Sequence, residues 1–481
     1  MPGRVLVVTY YFPPVGGVGV QRTLKNVTYL PRWGWQPVVV APRDPAYPLR
    51  DPSLLAAVPD GVDVHRSLSL EPSRVQLIGS RLLRRGRGAR HAGGVPPGGG
   101  VPPGDGATPA AAGARADSRP AGIVRLTMRR GVAAWSRFWG TVLFPDEAVA
   151  WVPFAVRSGR RVHRTSPVDV LFSSAPPFSV HVAAGRLKQA TGLPWVADFR
   201  DPWVGNPFAA PVSSRRAARE LATERWIVER ADRVVVASSE MRDRFVERYP
   251  ELESRFVFIP NGYDRADAAG IVPVAGPEGR FTILFAGSLY RPGELAAFLG
   301  GAELLLVRRP ALRSRLRVQF VGRANAENRA IAAAYAAPGR IGDVVSFEDF
   351  VPRPQALARI AGADALLQLM TAAPGTGMFV GGKLMEYLAF DRPILAVMPP
   401  GEGRRLVEGL PAGYVADVEP ASVADALERL LDDSPAPRAA DPAGRYDRIN
   451  LAGELAAVLD EVVAEKNREP AGPARAGAGS P

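Results

Sequence analysis

The chain has 481 residues, 47% hydrophobic and 22% charged, which is the composition of soluble globular domains and a length that suits two or three of them. It has no cysteine, which excludes disulfides, thiolate nucleophiles and cysteine-ligated zinc; its four histidines (His65, His91, His163 and His181) lack metal-ligand spacing, so no metal or other cofactor is expected. The formal charge of +12 is local: residues 81–137 carry eleven Arg against Asp105 and Asp117, and the rest is close to balanced.

In chain order, Arg4–Thr9 is a β-branched apolar run that reads as a buried strand. Its apolar stretch, Val5–Phe12, is short and stops at Pro13-Pro14 with no cleavage pattern, so a cytoplasmic chain is expected. A Pro/Gly loop over Tyr10–Gly19 leads into a helix over Val20–Leu30 and a strand over Pro37–Ala41, the βαβ pattern of a parallel sheet. Residues 86–122 are dominated by Gly, Pro and Ala and predict a disordered insertion within the first domain. Alternation resumes with strands at Val168–Phe172, Pro194–Asp198, Arg233–Ala237 and Phe256–Ile259, and with helices at Ser179–Thr191 and Ala217–Arg230.

Residues 264–280, rich in Ala, Gly and Pro, read as a linker. A second alternating series follows. Its strands are Phe281–Ala286, Leu316–Val321, Val344–Phe347, Ala365–Leu369, Ile394–Val397 and Gly413–Val418; its helices are Leu295–Val307, Asn325–Ala336, Pro354–Ala361, Lys383–Phe390 and Ser422–Leu431. The expected fold is α/β: two Rossmann-like doubly wound domains, 1–265 and 278–440, facing across a cleft at the carboxyl ends of their strands. A helix within 441–466 is expected to pack back on the first domain, ahead of a disordered tail over 467–481.

Four loops after strands carry candidate chemistry. Pro13–Arg22 puts glycines between a strand and a helix, where backbone N–H groups approach an anion closely or simply form a tight turn. Ser173–Ser179 (with Ser174) and Asp198–Trp203 lie at the expected cleft edge. Asp198, Arg200 and Asp201 can hold sugar hydroxyls, move a proton, or form a local ion pair that shapes the loop. Ala286–Gly293 contains Ser288 and Arg291, the latter a bidentate donor for a diphosphate. Gly375–Ala389 is glycine-rich and opens a helix; Gly381, Gly382 and Lys383 suit a phosphate, and Glu386, on the face of Lys383, suits the two hydroxyls of a ribose. On its own, Glu386 reads first as a helix-start carboxylate favoured by the dipole.

At these residues the sequence resembles the family 4 retaining glycosyltransferases of the GT-B fold. The resemblance is carried by Gly382–Ala396, Tyr11–Gly17, Asp198–Trp203, Ala231–Ser238 and Ile259–Gly262. It implies a nucleotide diphosphate sugar as donor and a glycan, lipid-linked or small-molecule hydroxyl as acceptor, with no catalytic metal. It places Glu386 on the ribose, Gly16 and Gly17 near the donor phosphates, Arg291 on the leaving diphosphate and Phe350–Val351 against the base. His181 lies beside an expected active-site loop and joins Asp201, Arg200 and Arg291 as a catalytic candidate. Met378 occupies the position where the family usually carries a second Glu for the donor sugar, and Gly293 and Glu294 stand where a Lys is usual.

The basic stretch 81–137, with Trp135, Phe138 and Trp139, suits acidic lipid headgroups or a loop without a fixed partner; no nucleic-acid module is recognisable. A sugar-nucleotide epimerase on the same fold and a non-catalytic nucleotide-binding homologue are the competing readings.

Overall fold

The computed structural model describes residues 2–45, 50–71, 143–289, 291–433 and 441–468. The 86–122 insertion, the basic region 81–137 with its aromatic residues, and the tail from residue 469 lie outside the described residues. The chain forms two compact units. Unit 1 takes residues up to Ala237, Arg248–Val257 and those from Ala452; unit 2 takes Ser238–Glu247 and Phe258–Leu451.

Unit 1 is built on a seven-stranded sheet of β1 (Gly3–Thr9), β2 (Trp35–Pro42), β3 (Asp63–Ser67), β4 (Val170–Ala175), β5 (Trp195–Phe199), β6 (Arg233–Val236) and β7 (Phe256–Phe258). Their order is β3-β2-β1-β4-β5-β6-β7, and the pairs from β3 to β6 are parallel. Val5 to Val8 are at most 1% exposed, because helices cover both sheet faces. The order reverses between β1 and β4, where Val5 pairs with Val170 and Thr9 with Ser174. Side chains at the carboxyl ends of those two strands therefore meet at a topological switch point, the usual ligand position in such sheets.

Unit 2 has six parallel strands: β8 (Phe281–Ala286), β9 (Leu316–Val321), β10 (Val345–Glu348), β11 (Ala365–Leu369), β12 (Ile394–Val397) and β13 (Gly413–Ala416). Their order is β10-β9-β8-β11-β12-β13. The period-2 alternation divides its core. Ile283, Phe285, Leu367, Leu395 and Val397 pack on one face, and Leu284, Leu366, Ile394 and Ala396 on the other. Here the switch point lies between β8 and β11.

Several elements escape the sequence reading. Helix Val152–Thr165 buries Val152, Ala155, Gly159 and Val162; a Cβ at Gly159 would stand 2.7 Å from Leu187 Cδ1, so this glycine is a packing contact and not a breaker. Strand β3 (Asp-Val-His-Arg-Ser) is a polar sheet edge. Helix Ser239–Arg248 buries only Met241 and Phe245, and the Glu402 carboxylate accepts from Ser239 N (2.9 Å), Ser239 Oγ (2.6 Å) and Glu240 N (3.2 Å) at its start. Helix Glu402–Glu408 is another. The 264–280 segment is packed and not a free linker: it contains the short helix Arg265–Ala268, and Val274 N donates to Ala358 O at 2.9 Å.

The last helix, Arg448–Arg468, enters unit 1 from Ala452. Leu455, Ala456, Leu459 and Val462 are buried at helical spacing, each large one contributing about 1.5–3 kcal/mol. Trp33 lies against Gly453, Trp35 Nε1 donates to Asp460 (3.1 Å), and Arg233 pairs with Glu461 (2.9 Å) and Glu465 (2.5 Å).

Candidate active site

At the switch point of unit 1, the loop after β1 ends at Gly17, whose φ of +95° favours glycine, directly before helix Val18–Tyr29. Gly16 packs close to Asp51. One turn into the helix, the buried Arg22 donates from Nε to both oxygens of Asp198 (3.1 Å each) and from Nη2 to Oδ1 (2.8 Å). Ser174 Oγ donates to Asp198 Oδ2 at 2.6 Å. Asp198 is thus fully buried and engaged on both oxygens, a clamp joining helix, β4 and β5. Arg200 donates from Nε to Ala175 O (3.1 Å) and from its two terminal nitrogens to Gly19 O and Pro176 O, fixing three loops through backbone carbonyls.

Asp201 keeps a partly exposed carboxyl, and no hydrogen bond to it occurs among the described residues. Burial raises its pKa; Arg200 pulls it back down and Asp198 pushes it up again. Of the predicted catalytic groups in unit 1, it is the one held by no hydrogen bond among the described residues, and burial raises its pKa.

His181 is completely buried. Trp195 Nε1 donates to Ser173 Oγ (2.8 Å), and Ser173 Oγ lies 2.8 Å from His181 Nδ1. The indole donates to the hydroxyl, which either donates to Nδ1 or accepts from it according to the imidazole tautomer, and Nε2 is buried with no partner. Burial pushes its pKa down to about 3, Asp198 opposing and Arg200 reinforcing the shift. The Phe199 ring lies 4.5 Å away.

At the switch point of unit 2, Gly287 and Gly322 follow β8 and β9 with φ of +146° and +139°. A Cβ on Gly322 would stand 2.1 Å from Gly287 O, and one on Gly287 would stand 1.8 Å from Lys383 Cε. Only glycine allows this stack of backbone, backbone and lysine stem. Lys383 Nζ donates to Ser288 O (3.2 Å) and lies 4.1 Å from the centre of the Phe285 ring. Burial pulls its pKa down to about 8, with Glu386 and Glu294 opposing.

Gly381 and Gly382 begin a helix of only six residues, Gly382–Tyr387. A Cβ at Gly381 would stand 2.9 Å from Gln368 Nε2. Buried Tyr387 holds this helix to the sheet by accepting the Ala286 N–H at 3.0 Å. Its neighbour Glu386 is half-buried and takes Arg353 Nη2 at 2.8 Å; the same nitrogen reaches Asp267 at 3.1 Å. Arg353 has no sequence signal. It lies 33 positions from Glu386 and is set by the start of helix Arg353–Gly362.

Val351 packs at the rim of the adjacent core cluster, next to the exposed Phe350, whose ring carries Arg323 at 5.2 Å. Arg291 is exposed at the N-cap of helix Pro292–Arg308. Met378 is buried. The structure therefore gathers Ser288, Gly381, Gly382, Lys383 and Glu386 at one sheet edge, and Gly17, Ser174, Asp198, Arg200 and Asp201 at the other. Among the described residues no group of three or more acidic or histidine side chains is placed to hold a metal, and no helix is long and apolar enough to cross a membrane.

Two doubly wound parallel sheets, each with glycine turns and charged loops at its switch point, define the GT-B architecture. Residues 110–267 match the family described as Glycosyltransferase Family 4, and residues 280–433 match Glycosyl transferases group 1. The chain belongs to the family 4-like glycosyltransferases of the GT-B fold. A D-inositol 3-phosphate glycosyltransferase of Nocardiopsis dassonvillei is 27% identical over 50% of this chain and 55% of its own. Another, of Thermobispora bispora, is 27% identical over 44% and 50%. The chain thus spans about half the length of the curated relatives it matches. Among solved structures, Anabaena HepE in complex with UDP aligns with a TM-score of 0.56 at 14% identity, covering 95% of this chain and all of HepE. Sucrose-phosphate synthase of Thermosynechococcus elongatus gives the same TM-score and identity, covering 96% and 100%.

Proposed function

We propose that the chain transfers a sugar from a nucleotide diphosphate sugar to an acceptor hydroxyl, with the nucleotide held at the carboxyl edge of the unit 2 sheet. The observation that carries this reading is the joining of two positive-φ glycines, Lys383 and Glu386 at one switch point. Gly287 and Gly322 let the two loops and the lysine stem stack closely, Lys383 supplies a half-buried cation there, and Glu386 stands three residues along the same helix as an acceptor for ribose hydroxyls. Arg291, exposed at the same edge, would add charge to the leaving diphosphate.

A uridine nucleotide is the first candidate, because HepE was solved with UDP and with UDP-glucose on the same fold. In unit 1, Asp201 is the group we assign to the acceptor side. Retention of the anomeric configuration, a lipid-linked or glycan acceptor, work at the inner face of a membrane through residues 81–137, and independence from metal ions complete the proposal.

The test is thermal unfolding with UDP, GDP and ADP. One of them raises the midpoint of the wild type, and Glu386→Ala removes that shift. No shift with any of the three would refute the reading. Met378 motivates a second reading, a nucleotide-binding homologue without turnover; hydrolysis or transfer of a donor sugar separates the two.

A further inference from the structure

Glu294 has no role in the site as described so far. It lies in the first turn of helix Pro292–Arg308, where an acidic residue ordinarily complements the helix dipole from solvent. This one is 7% exposed. Its Oε1 accepts from Thr371 Oγ1 at 3.1 Å, and its Oε2 is buried with no partner. A dipole complement gains nothing from losing water on one oxygen, and an unmatched buried carboxyl oxygen is costly. The helix start alone therefore does not account for its placement.

The surroundings indicate what is missing. Thr371 follows β11 by two residues, so Glu294 is fastened to the switch point between β8 and β11. The same loop carries Met378, apolar and 2% exposed, where the family resemblance places an acid. Burial raises the pKa of Glu294, and its own backbone N–H, Thr371, Arg291 and Lys383 pull it back down.

Gln368, the penultimate residue of β11, presents a second unmatched oxygen. Its Nε2 donates to Leu369 O at 3.0 Å. That carbonyl can only accept, which fixes the amide orientation and leaves Oε1 buried without a donor. One sheet edge thus combines cations with two buried acceptors that lack hydrogens. A phosphorylated polyol satisfies both demands, with phosphate for the cations and hydroxyls for the acceptors.

We propose that Glu294 is the residue that recognises the donor's sugar, Oε2 accepting one of its hydroxyls while Thr371 fixes the carboxyl through Oε1. The assignment rests on the nucleotide-sugar reading above. It makes Glu294 a specificity-determining residue, taking from a different element the task that Met378 cannot perform.

The experiment measures dissociation constants by calorimetry for UDP, UDP-glucose, UDP-galactose and UDP-N-acetylglucosamine, with GDP-glucose and ADP-glucose alongside their diphosphates. The proteins are the wild type, Glu294→Gln and Thr371→Val, with unfolding midpoints confirming that each is folded. Glu294→Gln preserves shape and the Thr371 contact but replaces the accepting oxygen with an NH2. We expect the free diphosphate to bind all three proteins within about twofold, and the preferred sugar nucleotide to weaken about tenfold or more in Glu294→Gln, with the ranking of epimeric sugars flattened. Thr371→Val gives a smaller loss in the same direction.

The proposal is overturned if Glu294→Gln binds and ranks the sugar nucleotides as the wild type does, a result that leaves the nucleotide site standing. Equal loss of the free diphosphate and the sugar nucleotide also overturns it, since Glu294 would then support the site as a whole. If the wild type binds none of the diphosphates, the nucleotide-sugar reading itself fails.

Discussion

Lys383 makes the proposed site sensitive to pH in a way that can be measured. An ordinary lysine ionises at 10.5; here burial brings the value to about 8. The gap corresponds to roughly 3 kcal/mol of penalty on the charged form, at about 1.4 kcal/mol per pKa unit. Glu386 and Glu294 already oppose the shift, and a diphosphate beside Nζ would oppose it much more strongly. Binding therefore favours the protonated amine. Below pH 8 the amine is already charged and affinity is flat. Above pH 8 the free protein must take up a proton to bind, and affinity falls by up to about tenfold per pH unit.

The terminal phosphate of a nucleotide diphosphate, with a second pKa of about 6, does not titrate in this window. The assay is calorimetric titration from pH 7 to 9.5, repeated at pH 8.5 in two buffers of different ionisation enthalpy to count protons. Wild-type protein should show the slope and the proton uptake. Lys383→Met should bind more weakly at pH 7 and show neither. A flat profile in the wild type, or an equal slope in Lys383→Met, would refute the placement of this amine against the diphosphate.

Further outcomes follow from the same geometry. Arg22→Ala leaves Asp198 buried with Ser174 as its only remaining described side-chain hydrogen-bond partner and only the charge of Arg200 opposing its own, and should cost about 3–5 kcal/mol in urea unfolding; a loss under about 1 kcal/mol would show that the clamp is dispensable. Gly322→Ala combines a φ of +139° with a collision against Gly287 and should cost at least about 1–3 kcal/mol, read as a lowered unfolding midpoint. His181 is neutral in the folded state until about pH 3, whereas the unfolded chain protonates it below its ordinary 6.5. Between these values the unfolded state binds the extra proton, so stability falls as the pH drops, by about 2 kcal/mol from pH 7 to 5. His181→Gln should lack that component, and an imidazole that titrates near 6.5 by NMR would contradict the burial.

The fold was legible where strands are buried on both faces. Phe281–Ala286, Leu316–Val321, Ala365–Leu369 and Ile394–Val397 have the bounds their apolar runs suggest. It was illegible where burial is one-sided or sparse. Strand β3 has a polar Asp-Val-His-Arg-Ser sequence because it is a sheet edge, and helix Ser239–Arg248 shows only Met241 and Phe245 to the interior. In the proposed site, Glu386 stands out in the sequence because a glycine-rich loop and a lysine precede it. Its contact with Arg353 could not, since no local pattern joins residues that tertiary packing alone brings within 2.8 Å. Likewise, an acid at a helix start, as at Glu294, gives no sign of whether it faces water or is buried.

The two switch points differ in how their charges are used, and that difference bears on function. In unit 1 the polar groups largely satisfy one another: Arg22 and Ser174 occupy Asp198, and Arg200 is tied to three carbonyls. Such a network resists rearrangement, because losing any member strands a buried charge or dipole. Asp201 is the carboxyl that this rigid frame leaves uncommitted. In unit 2, Glu294 Oε2 and Gln368 Oε1 are buried without donors, and Lys383 donates to one carbonyl, stands over one ring and feels the charges of Glu386 and Glu294. A folded protein tolerates unmatched groups of this kind where a ligand completes them. The chemistry therefore divides by unit, with a preformed ion-pair and carbonyl network around one carboxylate in unit 1, where His181 Nε2 is the unmatched group of the predicted site, and an edge in unit 2 whose hydrogen bonding closes when a charged, hydroxylated molecule arrives.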